Sequence, residues 1–250
     1  MPRAANGLWY DRTGSGDPVV LIHEGVVDSR SWAPVVPALA ERFEVVTYDQ
    51  RAYGRSDGWH GPYSLVDDLV GVLDELGIAG AALVGASRGG RIALDTALTR
   101  PDRVTKLALV ASGLAGRPLN VEVTPEQEAR WDAAEADGDL ATLAEIDLEI
   151  WAPLGADEEL RRLFHENVEA SNADDPAVPV EPPAATRLAE IQIPTLVVTG
   201  DHDVPGINEF GDVLEREIDG AQRVVIPKAD HMIGWRAPEK LASALIAFLR

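Results

Sequence analysis

Residues 83–94 read LVGASRGGRIAL, and the reading of Ser87 within them decides the fold. Ala81, Ala82, Leu83 and Val84 before it are short and apolar, as in a buried parallel strand, while Ile92, Ala93 and Ala97 after it recur at helical spacing. The serine therefore stands at a sharp strand-to-helix turn. Such a turn strains the backbone and lets neighbouring chain pass close, so it needs residues without bulk on either side, which Gly85 and Gly89 supply. The pattern is G-x-S-x-G, a nucleophile elbow, and it carries chemistry only with partners.

Outward from this turn, strand-like and helix-like runs alternate. Apolar, β-branched runs lie at residues 18–23 (PVVLIH), 43–48 (FEVVTY), 81–84, 104–111 (VTKLALVA), 194–199 (PTLVVT) and 222–227 (QRVVIP), with a weaker one at 8–12. Helical patterns lie near 30–41, 63–77, 89–100, 206–219 and 237–249. This order predicts an α/β fold: a mainly parallel twisted sheet with helices on both faces.

The alternation breaks between the strand at 104 and the strand at 194. Residues 114–190 hold 19 acidic and 5 basic residues, net −14, and leave −6 for the rest of a chain of net charge −20. Three helices are expected there. Thr124-Pro125-Glu126-Gln127 is a capping box with proline at the first helical position. Asp139 caps a helix whose Leu140, Leu143, Ile146 and Ile150 share a face, and Leu160, Leu163 and Phe164 share a face in the third. An insertion at the carboxyl edge of a parallel sheet stands above the crevice where ligands bind, so this one is a candidate lid. The expected division is a core of residues 1–113 and 191–250 with a helical cap at 114–190.

Composition narrows the classes of partner. A chain of 250 residues buries a sizeable core as one domain, or as one domain with an insertion, and 46% hydrophobic residues exclude wholesale disorder. No apolar run approaches the roughly 18 residues of a membrane span. The N-terminal MPRAANG has no apolar stretch of the signal-peptide kind, which makes the cytoplasm the expected compartment. A net charge of −20 argues against nucleic acid and anionic membranes, both of which need a basic face. It leaves a small molecule as partner, neutral or cationic in preference to polyanionic. With no cysteine, any nucleophile is oxygen or amine, and oligomeric state is not legible.

A serine hydroxyl needs a base, normally a histidine held in one tautomer by a carboxylate. Of five histidines, His231 follows the last strand in IPKADHMIGW, at the sheet edge expected for Ser87, and His202 follows the penultimate strand between Asp201 and Asp203. The chain order serine, aspartate, histidine suits this architecture. In VVLIHEGVVDSRSW, His23, Glu24 and Gly25 follow a central strand, where a backbone N–H can face a developing oxyanion. Asp49 and Ser56, in YDQRAYGRS, read as loop-ordering residues.

Together these segments resemble the α/β-hydrolase superfamily, in particular its capped single-domain esterase, lactonase and C–C hydrolase branches, over roughly residues 7–113 and 190–249. The resemblance implies Ser87 as nucleophile, His231 as base, Asp203 as acid with Asp201 as the substitute, and the backbone N–H groups of Gly25 and Arg88 as oxyanion donors. His23 and His202 are then structural, and His60 and His165 surface residues. Glu24, Val26, Trp131 and Trp151 are the candidate pocket residues. The implied activity is cleavage of a small carboxylic ester or lactone through an acyl-enzyme, with no metal or organic cofactor. The alternatives are C–C hydrolysis of a diketone or a catalytically weak binding protein of the same fold. Fold relatives that hydrolyse epoxides or haloalkanes carry aspartate at the elbow, where this chain has Ser87. Two departures stand out: Glu24 replaces the family's glycine after His23, and Arg88 replaces an apolar residue. The expectation is that Glu24 and Arg88 pair near the pocket floor.

Overall fold

The computed structural model describes residues 2–250. Its frame is a seven-stranded sheet in the order β1-β3-β2-β4-β5-β6-β7. The strands are β1 (Tyr10–Gly14), β2 (Pro18–Ile22), β3 (Glu44–Tyr48), β4 (Ala81–Ala86), β5 (Val104–Val110), β6 (Thr195–Gly200) and β7 (Gln222–Ile226). Only β1 runs antiparallel, pairing Tyr10 with Tyr48 and Gly14 with Glu44. The other six are parallel, so their carboxyl ends, and the loops that leave them, share one edge.

Burial follows position in the sheet. Every residue of β4 and of β6 is buried, as strands covered on both faces require, whereas Asp11 to Gly14 on the edge strand β1 are exposed. Helices between the strands, and two that follow β7, supply the covers. They are α1 (Val36–Ala40), α2 (Leu65–Glu75), α3 (Arg88–Thr99), α7 (Pro205–Glu217), α8 (Ile233–Arg236) and α9 (Pro238–Leu249), with α4 (Pro125–Asp137), α5 (Leu140–Trp151) and α6 (Glu158–Asn172) falling between α3 and α7 in the chain. Leu69, Val72 and Leu73 of α2, Ile92, Ala93 and Leu94 of α3, and Leu241 and Leu245 of α9 join the strands in one core. Each such leucine or isoleucine contributes about 1.5–3 kcal/mol by leaving water. Ser64 caps α2 by accepting from the Asp67 N–H at 3.1 Å.

One helix is shorter than its pattern. Where the spacing predicts a helix over 30–41, the chain forms a 3₁₀ turn at Ser29–Trp32 and a single α-helical turn at Val36–Ala40. Pro34 and Pro37 lack the N–H groups that a continuous helix would use.

The segment between β5 and β6 forms α4 (Pro125–Asp137), α5 (Leu140–Trp151) and α6 (Glu158–Asn172). Thr124 and Gln127 make the reciprocal capping box, and Gly138 ends α4 at φ 67°, a left-handed conformation that suits glycine. Asp139 and Asp157 cap α5 and α6 by accepting from Thr142 N and Leu160 N. The buried face of α5 is Leu143, Ala144, Ile146, Asp147 and Leu148; Leu140 is 40% exposed, so the face lies to one side of the one expected. Leu148, Ala152, Leu160, Leu163 and Phe164 pack with Val27 and Met232, which leave the carboxyl ends of β2 and β7. That cluster seats the inserted helices over this edge. No helix among the described residues is long and apolar enough to cross a membrane.

Candidate active site

Ser87 lies between the last residue of β4 and the first of α3, with φ 52° and ψ −114°. A positive φ at a residue with a side chain costs about 1–3 kcal/mol and persists only where the surroundings hold it. Here Ser87 N donates to Val110 O at 3.0 Å, while Ser87 O accepts from Gly113 N at 3.0 Å and Arg91 N at 3.1 Å. Strand β5 and its following loop thus clamp both sides of the serine peptide. The flanking glycines answer to crowding: a Cβ on Gly85 would run into the Gly89 carbonyl, and one on Gly89 into the Ile22 carbonyl. Neither obstacle is a side chain that could rotate away.

Asp203 follows β6 and His231 follows β7. A Cβ on Gly200 would strike Ala229 O, and His202 N donates to Ala229 O at 2.9 Å, so the two loops are in backbone contact. The His231 side chain is 2% exposed and that of Asp203 not at all, and the imidazole Nδ1 lies 3.0 and 3.1 Å from the two Asp203 oxygens. This bond fixes the proton on Nδ1 and leaves Nε2 as the acceptor. Burial, the largest influence, pulls the His231 pKa down; the charge and hydrogen bond of Asp203, with the charges of Glu24 and Asp230, outweigh it and leave the group above its ordinary value. Asp201 is held by exposed His202 at 2.7 Å and stands apart from this pair. The buried neighbour Asp230 accepts from Leu154 N at 3.2 Å and from Arg236 at 2.8 Å, which ties the histidine loop to the insertion. The Trp151 ring lies 4.6 Å from the imidazole, centroid to centroid.

At the end of β2, His23 Nε2 accepts from Gln50 N at 2.9 Å and Nδ1 donates to Glu24 O at 2.6 Å. Burial lowers its pKa, consistent with a neutral ring that orders its loop. Gln50 Nε2 donates to His23 O at 2.6 Å, and Tyr53 OH to Gly25 O at 2.8 Å. A Cβ on Gly25 would lie 3.2 Å from Arg88 Cδ and 3.3 Å from Arg88 Cβ, so the Arg88 side chain passes close to Gly25. Neither Gly25 N nor Arg88 N donates to a backbone carbonyl outside the regular elements among the described residues.

The expected pair of Glu24 and Arg88 does not form. Glu24, 4% exposed, turns to the 3₁₀ turn and accepts from Ser31 Oγ at 2.8 Å. Arg88 turns the other way, donating from Nε to Gln50 Oε1 at 2.8 Å and from Nη2 to Tyr63 OH at 3.2 Å, and meeting Asp175 Oδ2 at 2.5 Å. Each side chain is held by other partners. Trp131 also lies elsewhere than expected: it packs on Ala134, Leu143, Ala144 and Val168 within the insertion and lines a groove of about 350 Å³ with Val123, Ile146 and Ile150. Val26 and Trp151 each pack against the cluster containing Val27 and Met232. His165 bonds Glu145 at 2.7 Å within the insertion. Asp49 accepts from Ser29 N and Arg55 N, and Ser56 Oγ from Trp9 N, as loop-ordering residues do. Gln50, Tyr53, Tyr63 and Asp175 join the site beyond the residues expected from the sequence. Gln50 and Tyr53 sit in the YDQRAYGRS stretch, but Asp175 carries no signal beyond the acidity of its segment.

Residues 17–166 match the family model of the alpha/beta hydrolase fold. Over 113 residues, 42% of either chain, this chain is 44% identical to a Caulobacter vibrioides protein named for carbamate hydrolysis. It is 31% identical to a 2-hydroxy-6-oxononadienedioate/2-hydroxy-6-oxononatrienedioate hydrolase of Burkholderia vietnamiensis, with 96% of this chain and 90% of the relative covered. Among solved structures, the enol-lactonase of Burkholderia xenovorans superposes with a TM-score of 0.78 at 27% identity, covering 99% of each chain.

Proposed function

We propose, on the premise that the chain belongs to the alpha/beta hydrolase fold family, that it is a serine hydrolase which cleaves a small carboxylic ester or lactone. The observation that carries this reading is the buried Asp203 carboxylate bonded through both oxygens to His231 Nδ1, at the same sheet edge as the strained Ser87. His231 Nε2 takes the Ser87 proton as Oγ attacks the carbonyl. The N–H groups of Gly25 and Arg88 receive the oxyanion, each worth about 2.7–4 kcal/mol at the transition state. His231 then protonates the leaving alkoxide, and a water activated by the same nitrogen cleaves the acyl-enzyme. Asp203 holds the tautomer and stabilises the imidazolium. Residues 114–190 act as a cap over this edge, with Trp151 against the imidazole and Val26 beside it as pocket walls.

C–C hydrolysis of a diketone is the second reading, favoured by likeness over nearly the whole chain to the Burkholderia vietnamiensis hydrolase. Both readings use the same triad. Hydrolysis of p-nitrophenyl butyrate by wild type and Ser87→Ala, with fluorophosphonate labelling, tests the shared core: turnover and label are expected in wild type and a loss of at least about 10³-fold in the variant. Equal turnover in both would refute the nucleophile, and absence of turnover and label in wild type would favour a binding protein. A panel of esters, lactones, carbamates and vinylogous diketones then separates the substrate classes.

A further inference from the structure

Arg88 does more than its backbone requires. Its aliphatic stem lies on Gly25, so its guanidinium starts from the wall of the candidate oxyanion site. The head group is surrounded by neutral polar groups, Gln50 Oε1 and Tyr63 OH, and lies 5.9 Å over the Tyr53 ring. Its one ion-pair partner among the described residues is Asp175, which belongs to the return segment after α6. That segment is docked by its own bonds: Val178 N donates to Tyr63 O at 2.8 Å, and Ala177 bridges Tyr63. Asp175 Oδ1 is occupied by Ala177 N at 2.9 Å, which leaves Oδ2 to face the arginine.

The guanidinium is not saturated. Nε and Nη2 are used, whereas Nη1 donates to no side chain or carbonyl among the described residues, and it is not among the sealed, partnerless buried atoms. The Arg88 and Asp175 side chains retain 19% and 20% of their exposure. A cation of this kind, one residue from the nucleophile, partly open and forked, suits a carboxylate.

We propose that Arg88, with Gln50 and Tyr63, forms a receptor for a single carboxylate beside Ser87, and that Asp175 fills it as an internal counter-ion. Wild type therefore favours uncharged acyl groups, and an acyl group ending in a carboxylate is admitted when Asp175 is neutralised. The inference rests on the serine-hydrolase reading for its kinetic form, and on the Arg88 and Asp175 geometry alone for its binding form.

The test compares kcat/KM for p-nitrophenyl butyrate and mono-p-nitrophenyl glutarate in wild type, Asp175→Asn and Asp175→Ser. Both replacements keep an acceptor for Ala177 N. The ratio of glutarate to butyrate ester should rise at least about tenfold in each variant. It should fall back when Arg88→Met is added and shrink in about 0.5 M salt. A ratio unchanged from wild type, with both substrates slowed alike, would make Asp175 a structural staple and overturn the receptor. A wild type that already prefers the glutarate ester, with no further gain in the variants, would overturn it too. If wild type turns over neither ester, the hydrolase reading fails separately. Calorimetric binding of glutarate then decides the receptor: at least about tenfold tighter binding to Asp175→Asn supports it, and equal affinity overturns it.

Discussion

His231 carries two opposed influences, and their balance can be read in a pH profile. Burial favours the neutral ring, while Asp203, Glu24 and Asp230 favour the imidazolium and together prevail. In the proposed mechanism His231 must be neutral to act as base, so kcat/KM should rise with pH through an apparent pKa above the ordinary imidazole value and flatten beyond it. Glu24→Gln removes one of the charges that raise it, so the rising limb should move to lower pH; a limb that stays put would show that Glu24 is screened from the imidazole. Asp203→Asn keeps the shape but reverses the hydrogen bond, because an amide that donates to Nδ1 stabilises the wrong tautomer. A fall in kcat of about 10⁴-fold is expected, with KM little changed.

Among the elements, the β4–α3 turn and helix α3 hold the most legible consequences. Gly85→Ala places a methyl against the Gly89 carbonyl, and relief requires the elbow itself to move. Urea denaturation should register a loss of about 1–3 kcal/mol, and activity should fall further than stability. In α3, Arg91 Nε makes no hydrogen bond and meets Asp95 Oδ2 at 3.8 Å, while Asp95 is 3% exposed and its Oδ1 is likewise without a hydrogen bond. Burial pushes its pKa up to about 6, against the opposing charges of Arg91 and Arg187. A carboxyl raised from its unfolded value holds its folded-state advantage below that value and loses it as pH rises through about 6. Asp95→Asn should therefore stabilise the chain at pH 8 by up to about 3 kcal/mol and progressively less towards pH 4, read from urea midpoints. A gain that grows on acidification would contradict this assignment.

The whole molecule depends on how the inserted helices are seated. Asn167, 2% exposed, donates to Asp28 Oδ2 at 3.0 Å and accepts from Gly54 N at 3.0 Å, so one amide of α6 bonds two loops of the core. Arg30 adds an ion pair to Glu166 at 2.6 Å, and Arg236 bonds Gly155 O. Asn167→Ala leaves the Gly54 N–H without its acceptor and Asp28 Oδ2 with Arg30 alone, at a cost of about 1–3 kcal/mol. Hydrogen exchange should rise in α5 and α6 while β4 and β5 remain protected. Uniform exchange across the chain would instead mean that the insertion and the sheet unfold as one unit.

The alternation of β-branched runs with helical spacing was enough to predict the parallel sheet, because both periodicities are local properties of the chain. The elbow was equally plain, since its glycines are demanded by backbone crowding within a few residues of Ser87. The approach of Asp203 to His231 could be anticipated from chain order, as parallel strands deliver their loops to one edge. The short α1 was readable in principle from Pro34 and Pro37. Side-chain partnership was a different matter. Glu24 adjoins Gly25 in sequence and Arg88 adjoins it in space, yet they turn to Ser31 and Asp175, and Trp131 turns into the insertion's own core. Rotamers, burial and the competition among nearby partners decided those contacts, and all three exist only once segments distant in sequence have packed together.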